Sequence, residues 1–121
     1  MPMNSDDIQL IAFEIILHSG NSRTMIHEAF AAMRVGDFDK ADERLKASND
    51  ELLLAHQSQS DLLKKYAGGT KIEMEIILVH AQDHLMTTMT LREVALEMEH
   101  LYRNQAAAGE LKNNEPEDKG K

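Results

Sequence analysis

The chain has 121 residues, a formal net charge of -8 and no cysteine. The length sets one domain as the prior, and the lack of thiols excludes a disulfide scaffold, a thiolate zinc site and cysteine catalysis. The acidic balance argues against nucleic acid, whose phosphates need basic patches, and the scarcity of glycine (6) and proline (2), with aromatics at 4%, points to helices around an aliphatic core.

Asn4, Ser5, Asp6 and Asp7 supply a helix cap and first-turn acids. Apolar residues follow at Ile8, Ile11, Ile15, Ile16, Ile26, Phe30 and Met33, which predicts a first helix over about 6–35. The segment His18-Ser19-Gly20-Asn21-Ser22 interrupts the pattern and predicts a kink there. Gly36 and Asp37 form a turn and a new cap. The second helix is predicted over 37–66, with a seam of Phe38, Ala41, Leu45, Ser48, Leu52, Ala55, Gln59, Leu62 and Tyr66. Its spacing alternates between three and four, as in a coiled coil.

Ala67-Gly68-Gly69 ends that helix, and Thr70 is placed to cap a third over 71–108. The third helix carries three apolar seams. One is Ile77, His80, His84, Thr87, Leu91, Val94, Met98 and Leu101; the second is Ile76, Val79, Asp83, Met86 and Thr90; the third is Leu78, Gln82, Leu85, Met89 and Leu96. Two neighbouring helices cannot cover so many faces, so the excess predicts self-association. Residues 113–121 are polar, with Pro116 and Gly120, and are expected to form a disordered tail after a domain of residues 1–112. The expected fold is all-α, an antiparallel up-down three-helix bundle with short glycine turns. Ile76-Ile77-Leu78-Val79 is far too short to span a membrane. With no signal-like start, a cytoplasmic location and no direct membrane insertion are expected.

The chemistry concentrates in residues 79–90, where His80, Gln82, Asp83 and His84 interrupt an apolar pattern. Polar groups on a packed helix cost free energy unless they are bonded, paired or metal-bound. His80 and His84 are four apart and share a face, with Asp83 offset and Gln82 roughly opposite. His-x-x-Asp-His is a poor match to zinc-peptidase signatures. Glu97 and His100 form a single Glu-x-x-His pair, too few for a di-iron bundle. Two readings remain: satisfied seam histidines, or a nucleophilic imidazole for phosphoryl transfer, since a largely neutral imidazole attacks phosphorus without a separate base. His18, His27, His56 and His100 are read as structural or exposed, although His56 could line a cleft. Asp83 on its own reads as an exposed or arginine-paired carboxylate.

The run His80-Ala81-Gln82-Asp83-His84-Leu85-Met86-Thr87 resembles the signature of the lactose/cellobiose-type enzyme IIA family of the bacterial sugar phosphotransferase system. Ser19-Gly20-Asn21-Ser22-Arg23, Gly36-Asp37-Phe38, Ala55-His56 with Gln59, Leu78-Val79 and Leu101-Tyr102 extend the resemblance over residues 8–104. It implies a homotrimer of three-helix bundles. His80 would take a phosphoryl group from the histidine-containing phosphocarrier protein and pass it to a cysteine of enzyme IIB. Membrane enzyme IIC would then import a β-linked disaccharide for phosphorylation.

The resemblance also implies a divalent cation, Mg2+, held by Asp83 at the trimer axis. Three like charges at such an axis must protonate or bind a cation, and magnesium accepts carboxylate and water oxygens. Gln82 could then reach the phosphoryl group of a neighbouring subunit, and His84 is a supporting or interfacial group. The competing reading is a non-catalytic helical adaptor or oligomerisation module whose His-Asp cluster is structural or metal-binding.

Overall fold

The computed structural model describes residues 2–113, with side chains described for 2–109. It contains three helices, α1 (Ser5–Arg34), α2 (Phe38–Ala67) and α3 (Ile76–Asn113), and no strand among the described residues. Local chemistry sets most of the ends. The Asn4 side chain accepts from the Asp6 and Asp7 amides, and that of Asp37 accepts from the Lys40 amide. Gly36 and Gly69 adopt φ of 76° and 99°, a left-handed turn that side chains with a Cβ rarely tolerate.

Cross-helix bonds give the direction of the elements. Glu14 pairs with Ser58, His18 with Glu51 and Ser22 with Ser48, so α2 falls as α1 rises. At the opposite ends of α3, Ser5 reaches Glu75 and Asp42 reaches Arg103. The bundle is therefore up-down-up. Two apolar clusters fill it. One gathers Ile8, Ile15, Leu62, Leu78 and Leu85, and the other Ile26, Met33, Leu45 and Ala95. Between them lies a layer of buried Ser19, Ser22, Ser48 and Thr88.

Three sequence expectations are corrected. The kink at 18–22 is absent, because α1 runs unbroken from Ser5 to Arg34. Its small polar residues are an inter-helix contact: Ser22 Oγ donates to the Ser48 carbonyl at 2.9 Å, satisfying a hydroxyl that would otherwise be buried unpaired. Helix α3 starts at Ile76 rather than 71, and Thr70 does not cap it. Residues 71–75 run along the start of α1, where the Met3 amide donates to the Lys71 carbonyl at 3.0 Å. The Glu75 carbonyl then accepts from Leu78 and Val79, which opens the helix there. At the far end α3 continues through Gly109 to Asn113, beyond the expected end at 108. The rest of the expected tail, 114–121, lies outside the described residues.

The seam expected for α2 is the one used as far as Leu62, with Ala41, Leu45, Ser48, Leu52, Ala55 and Leu62 buried, whereas Tyr66, expected to continue it, is 66% exposed because the chain leaves the bundle there for the 68–75 connection. On α3 the buried face carries Leu78, Ala81, Leu85, Thr88 and Ala95. That face matches the third expected seam most closely; the second faces outward, and the first lies at the edge, with Ile77, Leu91 and Met98 packed against the core and His80, Val94 and Leu101 exposed.

At the turn end, Arg103 bonds Asp42 at 2.8 Å, approaches Glu99 at 3.4 Å and lies over the Phe38 ring. Burial raises the Glu99 pKa above its ordinary 4.5, helped by Asp42 and opposed by Arg103. The folded state therefore holds this proton more tightly than the unfolded chain. The contribution is favourable at acid pH and fades as pH rises above about 4.5. Glu99→Gln is expected to remove that part of the decline, measured by urea denaturation across a pH series. The same measurement is expected to show Ile15→Ala, at a fully buried site, losing about 2–5 kcal/mol. Leu10→Ala, at a position 62% exposed, should stay within about 0.5 kcal/mol.

Candidate functional site

His80, Gln82, Asp83 and His84 all lie in the first turns of α3, around the fully buried Ala81. Ala81 faces the core, so a helical step of 100° fixes where its neighbours face. His80 and Asp83 are exposed, and His84 and Gln82 are half-buried. The sequence pattern placed the cluster within apolar seams, but in a single chain its face is open to solvent.

The two imidazoles touch. Their centroids are 4.5 Å apart with planes at 89°, an edge-to-face pair formed by the four-residue spacing. The half-buried His84 ring thus limits how the exposed His80 ring can turn. One turn further on, Thr87 Oγ1 donates to the Asp83 carbonyl at 2.7 Å, which ties its hydroxyl to the backbone. Asp83 forms no ion pair among the described residues.

Asp83 lies on an outward strip with Ile76, Val79, Met86, Val94 and Leu101. These apolar side chains are between 48% (Val94) and 89% (Ile76) exposed. Single exposed apolar residues are ordinary, but a contiguous row along one helix marks a contact surface. Among the described residues no single chain gathers three carboxylate or imidazole groups around a metal position. Asp83 presents one exposed carboxylate on the apolar strip, an oxygen donor of the kind a hard divalent cation takes.

Gln82 points away from this strip. It lines a cleft of about 350 Å3 between the end of α2 and the 68–75 connection. Leu63, Tyr66 and Met74 form the rim and Leu78 the floor. The structure therefore brings His80 and His84 together and separates both from the Gln82 of the same chain. Tyr66 and Met74 were not picked out as site residues in the sequence, because the cleft depends on how the connection folds back.

Residues 10–103 match the family described as "PTS system, Lactose/Cellobiose specific IIA subunit". The lichenan-specific phosphotransferase enzyme IIA component of Bacillus subtilis (strain 168) is 44% identical over 98 residues, covering 81% of this chain and 89% of that protein. The crystal structure of PtcA from S. mutans superposes with a TM-score of 0.83 at 62% identity, covering 84% of this chain and 99% of that one. The IIA(Chitobiose) in the solution structures of an Escherichia coli IIA(Chitobiose)-HPr complex superposes with a TM-score of 0.72 at 32% identity, covering 82% and 96%.

The three-helix fold and these matches define a component of the sugar phosphotransferase system, a phosphotransferase that carries phosphoryl groups. The chain belongs to the lactose/cellobiose-specific IIA family.

Proposed function

We propose that His80 is the residue that carries the phosphoryl group. The observation that supports this most is the exposed His80 ring held edge-on by His84 at 4.5 Å. A ring nitrogen of His80 attacks the phosphorus of a phosphohistidine on the donor. A P–N bond forms on His80 as the donor's P–N bond breaks, and the electron pair returns to the donor ring. The bond made and the bond broken are alike, so transfer is readily reversible. In the second step a cysteine thiolate of enzyme IIB attacks, a P–S bond forms, and His80 is released. His84 keeps the His80 ring in an attacking orientation.

The donor in this reading is the histidine-containing phosphocarrier protein, supported by the solved E. coli relative in complex with HPr. Membrane enzyme IIC stands downstream. Among the described residues no helix is long and apolar enough to cross a membrane, which agrees with a cytoplasmic carrier. Relatives named for lichenan and chitobiose support a β-linked disaccharide as the sugar.

The assembly proposed is a homotrimer whose outward α3 strips meet around a threefold axis. There the Asp83 carboxylates would supply oxygens to a divalent cation, Mg2+, whose charge would offset their mutual repulsion. Gln82 would face the next copy and could donate a hydrogen bond to a phosphoryl oxygen on that copy's His80. The exposed row of Ile76, Val79, Met86, Val94 and Leu101 supports the contact. The adaptor reading shares this surface but gives the His80–His84 pair no role.

Incubation with phosphoenolpyruvate and the general phosphotransferase proteins is expected to give acid-labile phosphohistidine. His80→Ala should abolish the label, and equal labelling of the two proteins would refute the assignment. His84→Ala is expected to label to the same final extent but up to about a hundredfold more slowly, the cost of a misoriented reacting group. For the assembly, sedimentation is expected to show a trimer, weakened by Val94→Asp and by either chelation or Asp83→Ala. A protein that stays monomeric at every concentration would exclude both the axis and the shared site.

A further inference from the structure

A second cleft opens between α2 and α3, with a volume of about 260 Å3. It shares no lining residue with the His80–His84 pair. Its central cation, Arg92, follows His80 by twelve residues, about 18 Å along the helix. The Arg92 guanidinium is half-buried against α2. Nε donates to Ser48 Oγ at 3.1 Å, and Nε and Nη2 both reach the Leu45 carbonyl at 3.3 Å. These bonds fix the plane of the fork, yet neither acceptor carries a negative charge.

Arg92 has no carboxylate within ion-pair distance among the described residues, whereas Arg44 meets Glu28 and Glu43, and Arg103 meets Asp42 and Glu99. Burial alone pushes the Arg92 pKa down, with no acid acting against it. An arginine nevertheless remains charged at any physiological pH. Partly burying a cation with no counter-ion costs free energy, which leaves a standing attraction for an anion at this position.

The rest of the lining suits such a ligand. The Asn49 carboxamide and the His56 imidazole share the cleft with Arg92. His56 Nδ1 meets the Ser60 hydroxyl at 3.4 Å, which steadies the ring on the cleft wall. Asn49 follows Ser48 on α2 and so lies beside the guanidinium, where the two can share the oxygens of one phosphate, while His56 lies two turns further along the cleft. Leu53 and Met89 offer apolar surface beside them, and the volume exceeds that of a bare anion. Glu93, exposed, is the one acid on the lining and disfavours an anionic group placed at the outer edge.

We propose that this cleft binds a small phosphate monoester, with the phosphate on Arg92 and Asn49 and the organic body against Leu53, His56 and Met89. This site does not depend on the phosphocarrier role of His80.

The test is titration of the full chain with phenyl phosphate, followed by nitrogen-edited NMR of backbone, arginine and histidine signals. Sulfate at matched ionic strength and phenol serve as controls. Saturable shifts are expected at Asn49, His56, Met89 and Arg92, and none at His80 or His84. Arg92→Lys keeps the charge but loses the fork, and should weaken binding about tenfold. His56→Ala, at an exposed position, should weaken it about threefold through lost contact with the organic body. Three results would overturn the proposal: sulfate producing the same shifts with equal affinity, an adventitious ion only; phenol producing them; or signals from Leu53 and Met89 that follow protein concentration and ignore the phosphate, because another copy covers the cleft.

Discussion

A helix with two neighbours can bury only part of its circumference. Helix α3 carries apolar residues around more of its surface than α1 and α2 can cover, and this mismatch organises the molecule. The core takes Leu78, Ala81, Leu85 and Ala95. Ile76, Val79, Met86, Val94 and Leu101 are left outside, and so are His80 and Asp83. His80 is open to solvent because Ala81 beside it is buried. Asp83 reaches the apolar strip because it lies two steps past the same alanine.

Helix α1 is the element against which the others align. Its Ser19 and Ser22 form, with Ser48 and Thr88, a small polar layer between two apolar clusters. Ser48 ties that layer to all three helices: its carbonyl accepts from Ser22 of α1, its hydroxyl donates to the Leu45 carbonyl of α2, and Arg92 of α3 donates to the same hydroxyl. Directed bonds of this kind fix register more strictly than aliphatic packing, which tolerates sliding of one helix along another. The same bonds hold the Arg92 guanidinium at the wall of the second cleft, so the layer that aligns the helices also determines what that cleft offers a ligand.

Much of this was legible in the chain. The caps at Asn4 and Asp37, the stops at Gly36 and Gly69, and the seam of α2 as far as Leu62 follow from local chemistry and period, and each is found where the pattern puts it. The His80–His84 contact follows from a spacing of four on a helix. The misreadings share one cause. Ser19-Gly20-Asn21-Ser22 looks like a helix breaker until Ser48 is seen across from it, and residues 71–75 look helical until the Lys71 carbonyl is seen to accept from Met3. Each depends on a partner tens of residues away.

The sequence by itself determined that the chain is three helices of known handedness and period, and that two histidines, a glutamine and an aspartate point in three directions from one of them. Backbone geometry is local, so composition, caps and spacing suffice for that. Only the tertiary structure decided which seam of α3 is inside, and therefore that His80 and Asp83 face solvent, that Gln82 lines a cleft with Tyr66, and that Arg92 is held against α2 without a counter-ion. A seam becomes core only when another helix covers it, and which helix does so is settled by packing across the whole bundle.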